Sequence, residues 1–156
     1  IHRSETVDNK NRLLKIIKII NFLSKNYKVI FPIHPRTNKK LKSLKIQMNS
    51  NVILISPISY SESIFLLSKC FFCFSDSGGL QEESVILKKR CLIPSYKTPH
   101  TYYLDKNANQ LININNKNYI NSVKKFIKSV QNKKIKNFSH EKNTSQLIIK
   151  IIKKLI

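Results

Sequence analysis

The segment Cys70-Phe71-Phe72-Cys73-Phe74-Ser75-Asp76-Ser77-Gly78-Gly79-Leu80-Gln81-Glu82-Glu83 runs from an apolar tetrad into a polar turn that holds both glycines of the chain. Phe71 to Phe74 reads as a short buried strand, and a helix is expected from Leu80 to Leu87. A strand that passes into a helix through such a turn exposes the first amides of the helix. Those amides, aided by the helix dipole, suit a diphosphate. Glycine allows the turn a positive φ and lets a ligand approach with no Cβ in the way. Ser77 adds a hydroxyl donor, and Glu83, one turn into the helix, can accept from the two hydroxyls of a ribose. An ordinary strand-to-helix turn with a solvated acidic face would use the same residues. Ser77 is a poor hydrolase nucleophile, since its surroundings lack the leading glycine of a G-x-S-x-G elbow.

Outward from this segment, short apolar runs alternate with helical patterns. Lys28–Ile33, Val52–Ile55, Cys91–Ile93 and Leu111–Ile114 read as strands. Asp8 and Asn9 can cap a helix with apolar positions Leu13, Leu14, Ile16, Ile17, Ile20 and Leu23. Ser59 and Glu62 have capping-box spacing, and further helices are expected near 37–46, 118–130 and 144–155. The alternation predicts an α/β fold, a Rossmann-like parallel sheet with helices on both faces. In such sheets ligands bind beyond the carboxyl ends of the strands. Two more polar clusters fall near strand ends, His2-Arg3 and His34-Pro35-Arg36-Thr37. A histidine there can act as acid, base or phosphate donor, and an arginine can hold phosphate. His34 reads equally well as a surface residue beside a turn proline.

The 156 residues suit a single domain, and 41% hydrophobic content is enough to build a core. No uncharged apolar run reaches the roughly 18 residues of a membrane span, so no membrane partner is expected. No secretory leader is evident, and the start at Ile1-His2-Arg3, without Met, reads as a piece of a longer protein. The formal charge of +21 raises a nucleic-acid-binding domain as one reading. Against it, only 4 of the 29 basic residues are arginine, the side chain that best grips phosphates and bases. The 25 Lys stand with 24 Ile and 17 Asn, all residues of A- and T-rich codons, so base composition explains the three excesses together. A solvated basic surface, with no specific nucleic-acid partner, is the expectation. Three cysteines, an odd number inside apolar runs, point to a reducing cytoplasm. Cys70 and Cys73 have metal spacing, but residues three apart on a strand face opposite ways, so no metal site is expected.

Three segments taken in order, Ile1-His2-Arg3-Ser4-Glu5-Thr6, Phe31-Pro32-Ile33-His34-Pro35-Arg36-Thr37 and Asp76-Ser77-Gly78-Gly79-Leu80-Gln81-Glu82-Glu83, resemble the non-hydrolysing UDP-N-acetylglucosamine 2-epimerases. The C-terminal half of that family carries H-R-x-E-N, H-P-R-T and D-S-G-G-x-Q-E-E in the same order. The resemblance implies the C-terminal half of a glycosyltransferase-B fold. It also implies a reaction in which UDP leaves and returns around a glycal, interconverting UDP-GlcNAc and UDP-ManNAc without a separate cofactor. By position His2 matches the active-site histidine. Ser77, Gly78 and Gly79 match the phosphate turn, Glu83 matches the ribose ligand, and Arg3 lies beside the site. Two departures stand out: Thr6 where Asn is usual, and His100, in Ser95-Tyr96-Lys97-Thr98-Pro99-His100, where an arginine is usual. The partners implied are a UDP-sugar, an N-terminal domain or separate polypeptide carrying the acid–base carboxylates, and a second copy of the chain. The chain alone is expected to be inactive. A non-catalytic nucleotide-binding module is the alternative from another class.

Overall fold

The computed structural model describes residues 1, 3–105, 107–132, 135 and 144–155. A short helix α1 (Ser4–Val7) precedes α2 (Lys10–Leu23), which Asn9 caps by accepting from the Arg12 amide at 3.0 Å. Helix α2 buries Leu13, Ile16, Ile17, Ile19, Ile20 and Leu23. Leu14, expected inside, is 39% exposed, and Ile19 takes the place inside. Strand β1 (Val29–Pro32) leads into α3 (Pro35–Ser43), which starts two residues earlier than its pattern suggests. Pro35 pre-sets the first turn, and His34 Nδ1 accepts from the Arg36 amide at 3.2 Å, so His34 is a helix cap.

Strand β2 (Val52–Ile55) precedes α4 (Tyr60–Lys69), whose capping box is complete in both directions between Ser59 and Glu62. Then follow β3 (Cys73–Phe74), α5 (Gly78–Ile86), β4 (Cys91–Ile93), α6 (Tyr102–Asp105), β5 (Asn109–Leu111), α7 (Tyr119–Asn132) and α8 (Thr144–Leu155). Strand β5 lies two residues before the apolar run that marks it. Its backbone pairs through Asn109 and Gln110, and polar side chains hide such pairing from a hydropathy reading.

Among the described residues every strand pair is parallel, in two ladders. In one, β1 lies beside β2 with Val29 opposite Val52. In the other the order is β3-β4-β5, with Cys73 opposite Cys91 and Cys91 opposite Asn109. A single apolar core joins them: Phe31, Ile33, Val52, Leu92, Ile112 and Ile114 pack with α2, with Leu41 of α3, and with Val123 and Phe126 of α7. Alternation along β3 shows what covers the opposite side. Phe72 and Phe74 pack on this core, while Cys73 between them stands outside it. Val85 of α5 and Cys91 of β4 are buried outside that core, so helix α5 covers the other face. On β1 and β2 the paired residues Ile30 and Ile53, opposite the core face, remain 45% and 39% exposed. No helix among the described residues is long and apolar enough to cross a membrane.

Candidate functional site

The turn after β3 is built from side chains that bond back to the backbone. Ser75 Oγ accepts from the Ser77 amide at 3.1 Å, and Ser77 Oγ accepts from the Leu80 amide at 3.5 Å as the cap of α5. The Gln81 amide reaches the Ser77 carbonyl at 3.2 Å, the first turn of the helical ladder. The amides of Gly78 and Gly79 come before that bond, at the open end of the helix, where the dipole is positive.

Helix α5 thus begins at Gly78 and not at Leu80, and both glycines belong to its first turn. Neither has a positive φ, so the expectation of a left-handed turn is corrected. Close approach explains Gly78 instead. A Cβ built there would sit 3.1 Å from His100 Nε2, so the imidazole occupies the space a side chain would fill. At Gly79 a Cβ would meet Glu83 Oε1 at 3.7 Å, an ordinary contact. The Glu83 carboxylate is folded back over the first turn, one helical turn from its own Cα.

The loop after β4 closes the other side. Thr98 Oγ1 donates to Gln81 Oε1 at 2.9 Å, and the His100 amide donates to Thr98 Oγ1 at 3.2 Å. His100 Nδ1 lies 3.1 Å from Glu82 Oε1, and its ring stacks on Tyr103 with centroids 6.1 Å apart. Burial, then the Glu82 charge, pushes the Tyr103 phenol up from its ordinary range.

The first residues are tied to the same turn. The Arg3 amide donates to Asp76 Oδ2 at 3.2 Å, the Ile1 nitrogen lies 3.5 Å from Asp76 Oδ1, and Thr37 Oγ1 donates to the Ile1 carbonyl at 2.8 Å. Asp76 itself is 4% exposed. The Arg3 guanidinium does not follow its backbone. It lies 4.0 Å from Glu5 and is substantially exposed.

Ser77, Gly78, Gly79, Glu83, His100 and the Arg3 backbone therefore gather beyond the carboxyl ends of β3 and β4. His2 lies outside the described residues. His34 caps α3, and Arg36 pairs with Asp8, its Nε 3.3 Å from Asp8 Oδ1.

Sequence reading missed Arg12, Glu82 and the Gln81–Thr98 pair. Arg12 donates from Nε to Thr6 Oγ1 at 3.4 Å and from Nη2 to the Pro94 carbonyl at 2.9 Å, fastening α2 to the loop after β4. Its only sequence signal was that Arg is rare in this chain. A separate open groove of about 450 Å³, lined by Lys18, Phe22, Lys25 and Met48 among others, holds none of the predicted residues.

Cysteine chemistry is disfavoured. The Cys91 contact, then burial, pushes Cys73 well above its ordinary range, and burial pushes Cys70 up to about 11. Among the described residues no group of three His, Cys, Asp or Glu is arranged to hold a metal.

Comparison with known proteins gives one family. The model of the UDP-N-acetylglucosamine 2-epimerase family matches residues 1–153. A UDP-N-acetylglucosamine 2-epimerase of Methanococcus maripaludis is 37% identical over 97% of this chain, and the match spans 43% of that relative. The crystal structure of the Methanocaldococcus jannaschii UDP-GlcNAc 2-epimerase in complex with UDP-GlcNAc and UDP superposes with a TM-score of 0.80. It is 33% identical and covers 98% of this chain, which matches 43% of its own. The UDP-GlcNAc-bound enzyme of Neisseria meningitidis gives 0.77 at 28% identity, with 98% of this chain and 43% of that one covered. The chain thus spans less than half the length of the relatives it matches, in their C-terminal part.

Proposed function

The chain belongs to the UDP-N-acetylglucosamine 2-epimerase family, and on that premise we propose that its α5 turn is the UDP subsite of an enzyme interconverting UDP-GlcNAc and UDP-ManNAc. One observation carries the reading. The first turn of α5 presents the Gly78 and Gly79 amides beside two oppositely suited side chains, the His100 imidazole over Gly78 and the Glu83 carboxylate over Gly79. A UDP-sugar has the complementary order, an anionic diphosphate flanked by a ribose with two hydroxyls. The diphosphate sits against the helix amides, and the ribose hydroxyls donate to Glu83. Charge that develops on UDP as it leaves the sugar falls at the positive end of α5, which stabilises it.

His2 is the active-site histidine of this reading, and Arg3 braces the turn through its amide on Asp76. The acid–base carboxylates belong to the part of the relatives that this chain does not match. The 156 residues form one nucleotide-sugar-binding domain that completes its cleft with an N-terminal domain, supplied by the same protein or a separate one. A second copy of the chain is a further candidate partner, and the cytoplasm, where UDP-sugars are made, is the proposed compartment.

The test is amide-resolved NMR of the chain with UDP. The reading expects the largest shifts at Gly78, Gly79 and Leu80, and shifts confined to the Lys-rich surface of α7 would overturn it. In parallel, the purified 156 residues should show no epimerisation of UDP-GlcNAc above a protein-free control, because the groups that move the C2 proton are elsewhere.

A further inference from the structure

Where the resemblance leads one to expect an arginine, this chain has His100. A neutral imidazole is a weak substitute for a permanently charged fork. Its surroundings supply what it lacks. Glu82 Oε1 lies 3.1 Å from Nδ1, so the carboxylate charge favours a proton on that nitrogen. The other nitrogen, Nε2, then faces the α5 terminus, 3.1 Å from the position of a Cβ on Gly78. Tyr103 packs on the ring from α6.

With its proton on Nδ1 beside the Glu82 charge, a neutral ring presents only a lone pair from Nε2, which repels a phosphate oxygen. Protonated, the same atom donates a charge-assisted hydrogen bond. We propose that Glu82 and His100 form a carboxylate–imidazole dyad that makes diphosphate binding proton-linked. His100 Nε2 takes a proton from solvent as the UDP-sugar binds and donates it to a diphosphate oxygen, while Glu82 is the positioning residue. One N–H bond forms on the ring as a solvent or buffer acid gives up its proton, and no other covalent bond forms or breaks. The inference rests on α5 being the UDP subsite.

Among the described residues, the other groups around the ring leave this proton to His100. Tyr103 on α6 has its phenol pushed up by burial and by Glu82, which keeps it neutral. Tyr102, also on α6, packs on Tyr103. From α5 the second carboxylate is Glu83, over Gly79. Lys97, earlier in the loop, lies over Tyr96.

The probe is UDP-GlcNAc, whose diphosphate is esterified at both ends and does not itself titrate near neutrality. Its affinity for the whole chain is measured by calorimetry between about pH 6 and pH 8, where a histidine changes charge. Buffers of different ionisation enthalpy report the protons taken up.

The dyad predicts net proton uptake and an affinity about tenfold tighter at the lower pH, the worth of one charged hydrogen bond. His100→Arg should bind with no pH dependence and no uptake. His100→Asn should bind weakly with neither. Glu82→Gln keeps the side chain's shape but leaves the imidazolium uncompensated, so uptake near pH 7 should fall. A purely structural Glu82 would not move that readout.

Wild-type binding that is flat with pH, or uptake unchanged in His100→Asn, overturns the dyad. Provided Glu83→Ala still weakens binding, either result leaves the UDP subsite standing. No binding by wild type or His100→Arg at any pH overturns both.

Discussion

Gly78 earns its place through what lies above it. Because His100 Nε2 stands 3.1 Å from any Cβ at this position, Gly78→Ala must push the imidazole aside. A side chain can swing away at little cost, and alanine is the better helix former. The variant should therefore keep its melting temperature within a few degrees while losing about tenfold in UDP affinity, the worth of one charged hydrogen bond. Parallel thermal melts and titrations check this, and unchanged affinity would show that His100 has no part in binding. The sequence singles out this position for two reasons, a positive φ, which neither glycine adopts, and close approach with no Cβ in the way. Contact from a loop some twenty residues later leaves no trace in local spacing. The same holds for Glu82, which reads as a solvated residue until the fold brings His100 to 3.1 Å. Arg12 escaped notice because it interrupts an apolar helix pattern, and its partners Thr6 and Pro94 lie on other elements.

Among the elements, Ser59 and Ser77 hold the same office on different helices, which gives a matched pair of tests. Ser59 caps α4 within a capping box, and Ser77 caps α5 at 3.5 Å from the Leu80 amide. Replacing either with alanine should cost about 0.5–1 kcal/mol, a fall in melting temperature of about 1–4 °C. Only Ser77→Ala should also weaken UDP, because only α5 carries the subsite. Equal affinities for the two variants would argue that the α5 terminus is not where the nucleotide sits. Strands β2 and β4 and the α4 box were legible because unbroken apolar runs and a Ser-x-x-Glu pair are local signals. Helix α6 was not, since Tyr102-Tyr103-Leu104-Asp105 has loop-like neighbours and only one turn. Strand β3 shrank to Cys73–Phe74 because Phe71 and Phe72 join an aromatic cluster with Tyr27 and Phe126 instead of the ladder.

For the whole molecule, a half-buried thiol sets a pH limit. Cys70, pushed up to about 11 mainly by burial, holds its proton more tightly folded than unfolded. Its contribution to stability is complete below the ordinary thiol range, near pH 8.5. It is lost as pH rises from there toward 11. Urea midpoints should fall over that window, and Cys70→Ser should fall less steeply; identical slopes would contradict the assignment. The parallel α/β architecture was legible at this scale because alternation of strand and helix is a property of the entire chain. The division into two ladders was not, because it depends on which strand edges meet.

The charge of +21 is the main rival explanation for any anion binding, and the arginines do not add to it freely. Arg12 and Arg36 are held by partners within the fold, and Arg90 bonds Ser129 while lying over Phe126. The direct measurement is therefore calorimetric titration of UDP into the wild type, into Glu83→Ala, and into a Lys124→Gln, Lys125→Gln, Lys128→Gln triple variant of α7. A subsite on α5 predicts that Glu83→Ala loses about 1.5–3 kcal/mol of binding, roughly tenfold to a hundredfold in Kd, while the triple variant binds as wild type does. UDP affinity unchanged by Glu83→Ala but abolished by the lysine substitutions would mean diffuse charge attraction, and would contradict the site.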